Sequence, residues 1–320
     1  MTPTGNGGTA TEVGSNAADD FVTIFETSSN WGRWGDEDQL GTLNFLADGR
    51  GVEAFAAEVC SNQQVGLSRR ISPTWSQANQ TPVQHHMISS GAEAKDGAHG
   101  MSDWFGVTSH GFGITHVDAL NHMAWCGQLY NGVPASTVTT TRGGSFGSIE
   151  AMRDGVIGRG VLLDVPAYRG SDFLERSTAI GIKDLIGCEE RQGVQVRAGD
   201  VVIVRTGRDA RERVHGEVDY WVDGIEGLHF SCARWLHERG VSMLVTDAGG
   251  DVVPSGVEGV GFPLHVLCLV SMGLWMVDNA QLEELRRVCS TSDRWAFGFT
   301  MSVPRFKNAT GAPVNPIAVF

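Results

Sequence analysis

Three short, almost wholly apolar runs constrain this chain most: GVLLDV at 160–165, DVVIVR at 200–205 and VSMLVT at 241–246. Each is too short for an ordinary helix and is bounded by Gly or Pro, so each reads as a buried strand. Helical spacing fills much of the sequence around them. It predicts helices over 49–59, 182–192 and 231–238, the last with Ser231 as N-cap and Gly240 as the stop. A first strand is expected at 64–71. The apolar stretch 265–276 is interrupted by Gly273 and reads as two short pieces. Asn279 is expected to cap a helix over 280–288, and 297–303 to form a final strand. Strands outnumber helices and several alternate with them, which gives a mixed α/β class with a buried sheet. Periodicity leaves the topology open.

Composition narrows the function classes. Hydrophobic residues make up 41% of the 320 and charged residues 19%, enough to fill a sizeable core and far from a disordered composition. The net charge of -13 argues against nucleic acid or an anionic membrane as partner, since both call for a basic face. Six cysteines, at 60, 126, 188, 232, 268 and 289, form no CxxC pair and read as reduced thiols. The first residues lack a basic segment followed by an apolar run, and no eighteen-residue apolar stretch occurs. The expectation is a soluble, cytoplasmic protein: a disordered polar tail over 1–20 and one domain over 21–320.

Chemistry concentrates in SHGFGITHVDALNHMAWCGQLYNG, residues 109–132. His116 and Asp118 are two apart, so on a strand they point to one side, roughly 6–7 Å apart at Cα. That pair offers an imidazole nitrogen and a carboxylate oxygen to a divalent ion such as zinc or manganese. His122 can face the same place if the chain turns after Leu120, without being a ligand. His110 has the right parity, but six extended residues span about 20 Å; Gly111 and Gly113 would have to bend the chain back.

The pattern resembles the metal-dependent cyclase/hydrolase family that includes bacterial kynurenine formamidase and isatin hydrolase, whose signature is His-x-Gly-Thr-His-x-Asp-x-Pro-x-His. Thr115, His116, Asp118 and His122 fall on its Thr, second His, Asp and last His. Ile114 stands in place of the Gly, Leu120 in place of the Pro, and Phe112 in place of the first His, with His110 two residues upstream. NWGRWGDEDQLGTLNFL, GLHFSCARWLHERGVSMLVTDAGGDVVPSG and the closing PVNPIAVF are similar to a longer branch of that family. The resemblance implies a swivelling β/β/α fold, a dimer or larger assembly, and a small-molecule substrate. It also implies a divalent metal, Zn2+ or Mn2+, one or two per subunit. Ligands would come from His116, Asp118 and, in place of the lost first His, His110. A second set would be His265 and Asp278, where relatives often carry Glu. His122 would do acid/base work near the ordinary imidazole pKa.

Further residues carry paired readings. His86, next to His85, lines the pocket or sits on a loop. Trp31, near Trp34, caps an active site or belongs to a satellite core. Trp75 lies where relatives place an aromatic against substrate. Asp247 and Asp251 flank Gly249-Gly250 and read as acids that satisfy loop amides. Cys126 lacks the cationic setting of a nucleophile. Three functions compete on this basis: a hydrolase of amide, imide, lactam or lactone bonds, C–N most of all; a lyase or cyclase of secondary metabolism; and a non-catalytic metal-binding homologue.

Overall fold

A computed structural model describes residues 13–95 and 97–320. Its strands are β1 (Gln64–Gly66), β2 (Gln84–Ser89), β3 (Ser102–Gly106), β4 (His116–Asp118), β5 (Val156–Asp164), β6 (Ala179–Ile180) and β7 (Val201–Arg205). They continue with β8 (Gly227–Leu228), β9 (Met243–Thr246), β10 (Trp275–Asp278), β11 (Ala296–Met301), β12 (Gly311–Pro313) and β13 (Ile317–Val319). Nine of them form one mixed sheet in the order β1-β13-β11-β5-β7-β9-β10-β4-β12. The three apolar runs become β5, β7 and β9, its centre, which pair in parallel with one another and with β10. Parallel strands need crossovers, and helices Ile182–Gln192, Arg208–His215 and Cys232–Glu238 supply them on the way from β5 to β9. Side chains of β5, β7 and β9 are almost entirely buried, which explains why those runs lack polar alternation. The expected class, mixed α/β with a sheet flanked by helices, is the one observed.

Antiparallel strands close both ends of the sheet. On one side β4 lies between β10 and β12, so the segment bearing His116 and Asp118 is paired along both edges. Helical turns over Pro263–His265 and Val266–Met272 lead into β10, and Gly273 ends them in the left-handed region at φ 64°. The break expected at Gly273 is therefore real. Its carbonyl accepts from the Thr42 amide at 2.9 Å, and a Cβ on Gly273 would meet the Tyr130 ring at 2.7 Å.

Several local expectations need correction. Val13–Thr27 is a helix with Phe21 and Ile24 in the core, so the tail boundary placed at 20 falls inside an element; residues 1–12 lie outside the described residues. The strand expected over 64–71 stops at Gly66, after which Leu67 donates to the Pro316 carbonyl and Arg69 to the Thr115 hydroxyl. Ser231 holds the expected N-cap position but makes no side-chain cap bond: its hydroxyl is 2.8 Å from His229 Nδ1. Asn279 sits at φ 57° and does not cap a helix; the following one is Glu283–Ser292. β11 is not final, because β12 and β13 follow it into the sheet.

Replacing Gly273 by Ala combines an unfavourable φ with a ring clash. It should cost about 2 kcal/mol or more of unfolding free energy in urea titrations.

Candidate metal centre

β4 places His116 and Asp118 on one side of the sheet, with Val117 buried on the other. Across the ladder His116 pairs with Asp278 of β10, which brings that carboxylate alongside. The imidazoles divide around Asp118. Its Oδ1 is 2.9 Å from His110 Nδ1, 3.5 Å from His116 Nε2 and 3.9 Å from His122 Nε2. Its Oδ2 is 3.3 Å from His265 Nε2, which is also 3.3 Å from Asp278 Oδ2. Two sets of ligand atoms, His110/Asp118/His122 and His116/Asp118/Asp278, each converge within 4.8 Å. All five expected ligand positions and His122 thus meet in one place.

His110 reaches the cluster because the chain doubles back. Gly111 takes φ 122°, and Asn279 Nδ2 donates to its carbonyl at 3.0 Å. Arg208 donates from Nη2 to the Phe112 carbonyl at 3.0 Å and from Nη1 to Asn279 Oδ1 at 2.6 Å. His110 then stacks on His122 with ring centroids 3.8 Å apart, and its Nε2 lies 3.1 Å from the Thr310 hydroxyl. The left-handed turn at Asn279 is what this bracing requires, which accounts for the failed helix cap.

Asp251 reaches further than a loop acid. It accepts from the Leu264 and His265 amides at the start of the helical turns, and its Oδ2 is 2.6 Å from His265 Nδ1. With Nδ1 so engaged, Nε2 is left facing Asp118 and Asp278, an arrangement common behind metal-binding imidazoles. Asp247 keeps to its expected part, accepting from the Thr206 and Gly207 amides.

The electrostatics favour a cation. Burial would raise the Asp118 carboxyl, but His122, His110, His116 and His265 around it hold it well below the ordinary range. Burial would lower His265, yet Asp278, Asp118 and Asp251 push it well above the usual imidazole value. His122 departs from the expected ordinary value: burial brings it down to about 4 against the pull of Asp118. Mixed nitrogen and oxygen donors within one small volume fit a divalent metal ion. Gly250 lets the backbone lie against them, for a Cβ there would stand 3.3 Å from His265 Cε1 and 3.4 Å from Asp278 Oδ1.

The cluster forms the floor of a cavity of about 310 Å³. Phe112, Ile114, Met123, Trp221 and Phe262 give it apolar walls, and residues 77–81 a polar one. Phe112 stacks on Tyr220 at 5.0 Å, and the Arg208 guanidinium lies 4.3 Å over the Tyr220 ring. Of the three expected substrate contacts, none lines this cavity. Trp75 is 59% exposed, beside the wall segment rather than in it. His86 stacks on Trp104 at 5.8 Å, away from the cluster. Trp31 donates its Nε1 to the Val270 carbonyl at 2.7 Å and packs on Phe25, as a satellite of the core. Trp221 and Phe262 went unassigned because nothing in their local sequence marks a wall, and Asp251 was read only as a loop acid because its partner His265 lies fourteen residues on.

A family profile described as "Putative cyclase" matches residues 42–250. The chain belongs to that family. The match stops short of His265 and Asp278, so it does not cover the second half of the cluster. A crystal structure described as a novel cyclase is 27% identical, with a TM-score of 0.82 over 92% of this chain and 99% of its own. Isatin hydrolase A from Ralstonia solanacearum is 18% identical at TM-score 0.58, covering 81% of this chain and 92% of its own. Isatin hydrolase A from Labrenzia aggregata, bound to benzyl benzoate, is 19% identical at TM-score 0.55, covering 87% and 98%. These two share the fold. Among the curated proteins, none matches. No helix of the described residues is long and apolar enough to cross a membrane.

Behind the wall, Glu226 is wholly buried with both carboxyl oxygens unpartnered, 3.7 Å from Arg211. Burial, offset in part by Arg211 and reinforced by Asp247, pushes its carboxyl up to about 7. The folded protein therefore holds this proton more tightly than the unfolded chain. The associated stability is present below the ordinary glutamate range and is lost as pH rises through about 7. Glu226→Gln keeps the neutral form, so its thermal midpoint should exceed the parent's at pH 8, with the gap closing by pH 5.

Proposed function

We propose that this chain is a metal-dependent hydrolase that opens an amide, cyclic imide, lactam or lactone bond in a small molecule, C–N bonds first among them. The observation that carries the reading is Asp118, whose Oδ1 faces three imidazoles and whose Oδ2 faces a fourth at the floor of a substrate-sized cavity. His116, Asp118 and His110 would hold one ion, and Asp118, His265 and Asp278 a second. A zinc or manganese ion supplies a polarised carbonyl and a water acidified toward neutrality.

The chain's own groups do the rest. His122 lines the cavity without a short bond to any neighbour, its Nε2 3.9 Å from Asp118. Depressed by burial, it stays neutral at pH 7 and has a free ring nitrogen to accept the proton of the attacking water. It then returns that proton to the departing nitrogen or oxygen. Asp118 orients the imidazoles and stabilises the charge His122 acquires. Phe112, Trp221 and Phe262 exclude bulk water and suit a flat, cyclic substrate.

Elemental analysis of protein purified without chelator tests the reading directly. About one or two equivalents of zinc or manganese are expected, lost in His116→Ala; absence of metal even after adding it back would end the hydrolase proposal. His122→Ala should retain the metal and lose roughly 100-fold or more in kcat.

The family's own description favours one second reading, a cyclase or lyase in which His122 moves a proton and no water is consumed. Turnover in 18O-labelled water separates the two. Label in the product is expected, and its absence would point to the cyclase.

A further inference from the structure

A second cavity, of about 410 Å³, lies behind the wall of the metal cavity and shares Ala78, Asn79, Phe112 and Gly113 with it. Its size is that of a small-molecule site. Three arginines and two glutamates line it, and most of their charge is already engaged. Arg208 is buried and donates to Glu212 at 2.8 Å, to Asn279 and to the Phe112 carbonyl. Arg69 pairs through Nη1 with Asp209 at 2.7 Å and donates from Nε to the Asn279 carbonyl at 3.1 Å. Two charges of opposite sign are left over. Among the described residues, Arg70 and Glu217 have no ion pair and no side-chain hydrogen bond, and both are exposed. One donor is orphaned as well, for Arg69 Nη2 is buried without an acceptor. Hydroxyls gather on the same lining. Ser72 and Ser76 each accept one backbone amide, from Thr74 and Asn79, which leaves their O–H groups to donate.

We propose that this cavity is a binding site for a free zwitterionic amino acid, separate from the metal centre. A buried guanidinium N–H without an acceptor is costly, and a carboxylate is the group whose planar oxygens match arginine best. A plain anion would also bring its charge to Glu217. The set is balanced, Arg69, Arg70 and Arg208 against Asp209, Glu212 and Glu217, so no excess of either sign favours a singly charged ligand. A dipolar one satisfies both ends, its carboxylate on the arginines and serine hydroxyls and its ammonium on Glu217. Ala78 and Phe112 offer apolar surface to a side chain. No histidine or cysteine lines the cavity among the described residues, which suits binding without chemistry. Occupancy would be felt at the metal centre, because Arg69 and Arg208 both hold Asn279, which braces the bend carrying His110.

Isothermal titration calorimetry of the full chain with L-leucine tests the site, beside Arg70→Gln, Glu217→Gln and His116→Ala. Isocaproate and isoamylamine carry the same side chain with a single charge each. Arg70 and Glu217 are exposed, so circular dichroism of their variants should be unchanged. The expected result is saturable binding of leucine, about tenfold or more tighter than of either analogue. Arg70→Gln and Glu217→Gln should each weaken it about tenfold or more, and His116→Ala should retain it. Binding lost in His116→Ala but kept in the other two variants would place the amino acid on the metal and overturn the proposal. Isocaproate binding as tightly as leucine would overturn it too, marking a plain anion site. So would the absence of binding by leucine, phenylalanine and glutamine alike. Binding is read without turnover, so this failure is distinct from failure of the hydrolase.

Discussion

The buried carboxylate of Asp118 is the constraint on which the site is built. It is almost fully withdrawn from water, and its ionised form persists only because imidazoles crowd both of its oxygens. Such an arrangement tolerates little freedom, since an unpaired buried charge is among the most costly defects a core can hold. The structure meets this by fixing each partner separately. β4 is paired on both edges, His265 is held by Asp251, and His110 is locked by the bend that Asn279 and Arg208 brace. The cavity walls continue the same bracing outward through Phe112, Tyr220 and the arginines behind them.

How much of this was legible in the sequence depended on range. β5, β7 and β9 were visible as apolar runs because burial on both faces removes polar alternation, a property each segment carries within itself. Helix Ile182–Gln192 emerged with the expected boundaries for a similar reason. β12 and β13 were invisible, because three-residue strands such as Gly311–Pro313 are defined by their neighbours and not by their own pattern. The helix at Val13–Thr27 was hidden by Asn, Ser and Gly in a polar stretch whose apolar anchors, Phe21 and Ile24, come only near its end.

The site divides in the same way. His116, Asp118 and His122 declared themselves by spacing, and resemblance pointed to His265 and Asp278. The objection to His110, that an extended chain would carry it too far, was correct as arithmetic and was resolved by contacts with residues 208 and 279, remote in sequence. Trp75 and His86 flank segments that line the cavity without lining it themselves in this chain. Trp221 and Phe262 could be found only once those segments were folded against it.

The pairing of β4 with β12 has a consequence for synthesis. Thr310 touches His110, and Gly311–Pro313 supplies one edge of the strand that bears His116 and Asp118. These residues leave the ribosome well after His110, His116 and Asp118, which precede them by some two hundred positions. The nascent chain thus carries these side chains for a long stretch before the strand edge that fixes them is available. The edge that orders His110, His116 and Asp118 arrives only with Thr310 and β12, so this donor set takes its geometry late in folding rather than as its own strand emerges.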